Sequence, residues 1–169
     1  MKNLFRSLRV ACRRPAVRAE LSDTIRAMPV SEGIALRWGF RRIPLSRGHH
    51  HGGYVCAFRG EKLVRVESAL ERSVVKALVA DPACVAVATQ PVTINWSWND
   101  VKRRYTPDIL VIFDTVPDRW LRLGFERFSI IEVKPVREWI EPDLCAEHTR
   151  VVRTALGMPL IRLPVSYEV

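Results

Sequence analysis

The chain has 169 residues, 48% of them hydrophobic, and a formal net charge of +9. That length bounds it to one domain with a buried core and room for a short appended segment, and the hydrophobic share excludes a largely disordered chain. No apolar run nears the ~18 residues of a membrane span. The four cysteines, Cys12, Cys56, Cys84 and Cys145, are scattered without a CxxC pair, which fits a reducing cytosol better than a zinc site or a disulfide framework.

The charge is unevenly placed. Residues 1–60 hold 12 Lys and Arg against 3 Asp and Glu, while residues 61–169 hold 15 of each. The stretch "MKNLFRSLRVACRRPAVRA" has the composition of a transit peptide or of a solvated cationic tail as well as of a nucleic-acid arm. The domain that follows favours the arm. The expected division is therefore a basic extension over 1–60 and a folded domain over 61–169.

In chain order, 3–10 and 17–28 show weak helical periodicity broken by Pro15 and Pro29. Ser31 to Gly60, rich in Gly, Arg and His, reads as an extended surface connection. Its three adjacent histidines in "SRGHHHGG" read as a flexible polar loop rather than a metal site. A helix is predicted from about 66 to 80, closed by Asp81-Pro82. A strand follows over 83–96, interrupted at Gln90-Pro91, then a polar turn in "SWNDVKR". Further strands are predicted over 104–114 and 128–135, with "VPDRWLRLG" as a loop between them. Glu141 to Leu156 is a helix with Pro142 in its first turn and Gly157 past its end, and "MPLIRLPV" closes as a short strand. This order defines an α/β domain around a mixed sheet flanked by helices.

Some charges interrupt that pattern. On the first helix of the domain, Leu70, Glu71, Val74 and Leu78 fall within about 60° of Glu67 by the 3.6-residue repeat. Glu67 is therefore expected on the sheet-facing side. Asp108 opens a run of five apolar residues directly after Pro107. In "SIIEVKPVREW", Glu132 and Lys134 share one strand face while Ile131 and Val133 take the other. A buried carboxylate is costly unless paired or metal-bound.

Together these residues read D-x23-ExK on two neighbouring strands. Asp108, Glu132 and the carbonyl of Val133 are hard oxygen ligands suited to Mg²⁺, with Mn²⁺ expected to substitute. Lys134 is placed to orient an attacking water or offset charge on a phosphate. Phosphodiester hydrolysis is the chemistry this set suits, with simple ion pairing of Glu132 and Lys134 as the bland reading.

These residues resemble the PD-(D/E)XK nuclease superfamily. More narrowly, "VESALERSVVKALVADPACVAVATQPVTI", "RYTPDILV" and "IIEVKP" resemble the N-terminal catalytic domain of TnsA-type transposon endonucleases, which share ES-x-LER, DP, QP, YTPD and EVKP in that order. The resemblance spans about 65–165. It implies a restriction-endonuclease-like core and a Mg²⁺-dependent endonuclease that nicks DNA at transposon ends beside a DDE transposase (TnsB-like) and an AAA+ regulator (TnsC-like). It also implies a cytoplasmic, bacterial protein encoded by a mobile element or phage. Carried over residue by residue, Glu67, Asp108, Glu132 and Lys134 match the catalytic set, Glu67 joining the metal ligands. Gln90 matches the QP motif, where it would orient a water or the helix carboxylate. Some members carry Gln where Glu132 stands, which bears on the number of metals. The winged-helix domain of full-length members lies outside the resemblance, so a truncated or stand-alone version relying on its basic segment is expected.

Arg41, Arg42 and Arg47 in that segment, and Arg103 and Arg104 before the Asp108 strand, are candidate phosphate contacts. His148 falls on the apolar face of the last helix and is expected as a core histidine. Trp96, Trp98, Trp120 and Trp139 are expected at strand ends and loops, available for packing or stacking. Two other functions share these features. One is a stand-alone restriction, repair or junction-resolving nuclease; the other is a non-catalytic DNA-binding assembly factor on the same fold.

Overall fold

A computed structural model describes residues 8–28, 31–39, 46–47, 50–136 and 141–165. Its frame is a five-stranded mixed sheet in the order β1 (Val10–Cys12), β7 (Cys84–Thr89), β10 (Ile109–Phe113), β11 (Phe128–Pro135), β12 (Leu160–Val165). Neighbours are antiparallel except β11 and β12, which run parallel. β10 is central and every one of its residues, "ILVIF", is buried. A continuous apolar run suits a strand covered on both faces. The chain is thus an α/β protein with a mixed sheet and flanking helices, as the element order implied.

Each face has its own core. Helix α2 (Ala69–Ala80) packs Leu70, Val74, Val75 and Leu78 on Val87, Ile109, Val111 and Ile131. Helices α1 (Pro15–Ala27) and α4 (Pro142–Leu156) cover the other face, where Leu21, Val152 and Leu156 meet Ala88, Leu110 and Ile130. A second, three-stranded antiparallel sheet, β2 (Ile34–Trp38), β8 (Val92–Trp98) and β9 (Val101–Tyr105), adds Ile94, Trp96 and Tyr105 to that core. Two short pairs, β3 (Ser46–Arg47) with β4 (His50–His51) and β5 (Gly53–Val55) with β6 (Val64–Val66), complete the strands. Among the described residues no helix is long and apolar enough to cross a membrane.

Several boundaries differ from the sequence expectation, each for a local reason. Residues 10–12 form an edge strand, not helix, and α1 packs into the main core. Both elements fall within the expected 1–60 extension. Three buried residues in a row, Val10 to Cys12, carry too little periodicity to declare a strand. The predicted 31–60 connection contains β2 and β5, with Ala57 and Phe58 buried. The strand predicted over 83–96 is two strands in different sheets, because Gln90 takes a left-handed backbone (φ 47°) and turns the chain. The 104–114 strand likewise divides into β9 and β10 around Thr106-Pro107. The turn in "SWNDVKR" is only Asn99-Asp100, both at positive φ, as a two-residue hairpin loop requires. "VPDRWLRLG" contains a short helix, α3 (Asp118–Leu121). The Phe128–Pro135 strand and the Pro142–Leu156 helix, with Gly157 at φ 67° after it, match their predictions.

Helix α2 starts later than predicted, and the cause is a capping box. Ser68 Oγ accepts from the Glu71 N–H (3.1 Å), and Glu71 Oε2 accepts from the Glu67 N–H (2.9 Å). The S-x-x-E spacing is the sequence signature of that start. It leaves Glu67 outside the helix. At the other end Asp81 caps α2 and is 2% exposed. Its carboxylate accepts from the Ala83 N–H (2.9 Å), Trp120 Nε1 (2.9 Å) and Arg119 Nη2 (2.6 Å).

Candidate active site

β10 begins at Ile109 opposite Ile131, but β11 runs on to Pro135 beside β12 alone. The side of β11 facing Asp108 is therefore open beyond Ile131. Asp108 fills its start. The Asp108 N–H donates to Ile131 O (3.1 Å), its carbonyl accepts from the Gln90 N–H (2.7 Å), and Oδ2 accepts from the Val133 N–H (2.7 Å). Within a strand residue the N–H and C=O leave on the same edge, so the Val133 carbonyl also faces that opening.

Burial raises the Asp108 pKa, and the Glu71 carboxylate raises it further. The Val133 N–H and Lys134 oppose them and Glu132 adds to them, leaving Asp108 at about 7. Two carboxylates thus act on Asp108 at this end of the sheet. The helix carboxylate acting on Asp108 is Glu71, 5% exposed; Glu67 stands just before α2, with its N–H donating to Glu71. Its signal, S-x-x-E, was present in "ESALE".

Glu132 is 7% exposed. Its Oε2 accepts from Arg162 Nε (3.1 Å), while Lys134 Nζ stands 3.9 Å from Oε1. Arg162 is the register partner of Glu132 on β12, and it also donates to Cys145 O (2.8 Å) and Thr149 Oγ1 (2.9 Å) on α4. Sequence reading missed it, although "LIRLP" is the same sign as "IIEV": one charge inside an apolar strand. Glu132 is thus ion-paired, more closely with Arg162 than with Lys134.

Tyr105, at the end of β9, was also missed. Burial, then the charges of Glu132 and Asp108, hold its phenol well above the ordinary range. The buried hydroxyl has no well-formed hydrogen bond. The His148 ring stacks on Tyr105 (4.1 Å) and meets Trp96 edge-on (5.9 Å), and burial lowers its pKa. A neutral packing histidine agrees with its expected role. Gln90 is 3% exposed, and its Oε1 accepts no hydrogen bond.

Among the predicted phosphate contacts, Arg103 and Arg104 are exposed on β9, as cross-strand partners of Trp96 and Asn95 on opposite faces of the hairpin. Arg41, Arg42 and Trp139 lie outside the described residues, as does the side chain of Arg47. Trp98, at the hairpin tip, lies under the Arg150 guanidinium (4.6 Å).

The donors suit a hard cation. Asp108 and Glu132 carboxylates, a strand-edge carbonyl and an orphaned buried amide oxygen are hard oxygen donors. Among the described residues no three His, Cys, Asp or Glu side chains stand together as a ready-made ligand group. The fit is one of donor chemistry. The fold and site together define an α/β protein with an electrostatically strained carboxylate at the end of its central strand. Comparison with known protein-family models and with curated proteins found no match to this chain.

Proposed function

We propose that the chain is a metal-dependent DNA endonuclease of the PD-(D/E)XK superfamily, of the TnsA type. The observation that carries this reading is Asp108, held near pKa 7 by burial and by Glu71, with Glu132 and Lys134 also acting on it. A helix, three antiparallel strands, a helix and a parallel strand, α2-β7-β10-β11-α4-β12, supports the restriction-endonuclease-like core that the resemblance implies.

Asp108, Glu132 and the Val133 carbonyl would hold Mg²⁺ or Mn²⁺, with Glu71 in the part that Glu67 was expected to play. When bound, the cation would supply Lewis-acid charge against the negative charge developing on the phosphoryl oxygens. The protein's own groups do the rest. Asp108 is fixed by the Val133 N–H, so its free oxygen keeps one direction. Lys134 donates to a water or a phosphate oxygen at the strand end and offsets its charge. Arg162 holds Glu132 against α4. Water adds to phosphorus, the P–O bond to one deoxyribose breaks, and the departing oxygen takes up a proton.

Duplex DNA is the substrate on this reading, and a DDE transposase with an AAA+ regulator are the partners that would bring transposon ends to it. Incubation of supercoiled plasmid with Mg²⁺ tests the chemistry. Wild type is expected to give nicked product, while Asp108→Asn and Lys134→Ala give none and keep the wild-type circular dichroism spectrum. Full nicking by both variants would overturn the assignment.

A further inference from the structure

The three-stranded sheet turns one face into the core and leaves the other outside. Its register aligns Ala35 with Asn95 and Arg104, Arg37 with Thr93, and Ser97 with Lys102. By strand alternation these seven side chains share the outer face. Ile34, Leu36, Ile94, Trp96 and Tyr105 line the inner one. Arg37, Lys102 and Arg104 are exposed, and β2, β8 and β9 contain no carboxylate.

These three cations contrast with the basic residues that are held by acids. Arg14, Arg18, Arg26, Arg119, Arg127, Arg153 and Arg162 are all in ion pairs. Among the described residues, Arg37, Lys102 and Arg104 are in none.

We propose that this outer face is where duplex DNA lies, held by its phosphates and not by its bases. The inference rests on the reading of the site as one that cuts DNA. Lys102 and Arg104 stand two strand residues apart, roughly 6.6 Å, and Arg37 lies two strands across. Thr93, Asn95 and Ser97 between them are donors of the kind that bind phosphate oxygens. The face carries no aromatic or large apolar side chain, so it offers neither a stacking platform nor a wedge for a lipid surface. It also leads to the site. β9 ends at Tyr105, three residues before Asp108, and Thr93 Oγ1 hydrogen-bonds Thr106 Oγ1 (2.9 Å). A duplex on this face is carried toward the end of β10.

The test uses the full chain carrying Asp108→Asn, so that bound DNA is not cut, with fluorescence anisotropy on a labelled duplex over a range of salt. Adding Arg37→Ser, Lys102→Ser and Arg104→Ser is expected to weaken binding at least about tenfold for duplexes of any sequence. The slope of log affinity against log salt should shrink by about two to three, near 0.9 per lost phosphate contact. Arg37→Lys with Arg104→Lys should restore the slope, which a folding defect would not permit. An unchanged slope in the triple serine variant overturns the proposal, as does an equal loss of binding to anionic lipid vesicles. The two readings fail separately. Loss of DNA binding in the triple variant with no Mg²⁺-dependent nicking by wild type would retain the face and remove the nuclease; the reverse pattern would do the opposite.

Discussion

Two aspartates near opposite ends of the main sheet show how surroundings divide one side-chain type into two tasks. Burial would raise the pKa of Asp81, yet the Ala83 N–H, Arg119 and Trp120 together hold it below the usual value. Burial raises Asp108 too, but there Glu71 and Glu132 add to it against one N–H and Lys134, and it reaches about 7. Asp81 is a satisfied anchor between α2 and α3. Asp108 is a carboxylate short of positive charge. Environments that push like groups apart separate structural from chemical roles.

The largest effects should come from removing the two aspartates, and they should be opposite. Asp108→Asn is expected to lower nicking more than about a hundredfold, beyond what loss of an outer-sphere partner costs, yet to raise thermal stability at pH 8. The sign follows from linkage. The folded protein keeps a proton on Asp108 that the unfolded chain releases near 3.8, so wild-type stability falls as pH rises from about 4 to about 7. The variant should lose that slope in thermal melts, and Mg²⁺ should stabilise wild type above pH 7 but not the variant. Asp81→Asn should do the reverse, leaving the chemistry intact while costing roughly 1–3 kcal/mol through unsatisfied donors. Because the Asp81 pKa is lowered on folding, its contribution is present above about 4 and lost in more acidic solution.

Glu71→Gln is the next test of the contrast. It removes the largest charge acting on Asp108 and should lower the Asp108 pKa measurably by carboxyl NMR titration, with loss of Mn²⁺ affinity by calorimetry. Glu67→Gln should leave that pKa where it is, and equal shifts from both would restore Glu67 to the site. Arg162→Ala is the smallest of the set. Without Arg162, which ties Glu132 to Thr149 and Cys145 of α4, nicking should fall about 10–100-fold, the range for residues that orient a ligand, with Arg162→Lys recovering part of it.

The sequence disclosed this site by exception. Glu132 and Asp108 were legible because a charge in an apolar strand breaks a pattern that is otherwise unbroken, and Gly157 and Pro142 fixed the ends of α4 by their own backbone preferences. Glu71 stayed hidden because helical periodicity treats 67 and 71 as equivalent; only the reciprocal Ser68–Glu71 bonds separate them. Arg162 carried the same sign as Glu132 but made sense only once β12 was known to lie parallel to β11 in register. The switch of sheets at Gln90 was not legible, since a left-handed glutamine gives no signal in composition or spacing. The place of β1 was hidden for a related reason: three apolar residues say nothing about which distant strand they join.

That last feature sets an order of events in folding. Val10 pairs with Ala88 and Cys12 with Ala86, contacts that close a loop of more than 70 residues and must wait until most of it is organised. During synthesis β1 leaves the ribosome first and has no partner until β7 has followed it. The meander of β7, β10 and β11, joined by shorter connections, can form without it. A strand with so distant a partner is expected to be placed late, and it seals an edge of β7 that would otherwise stay open to other chains.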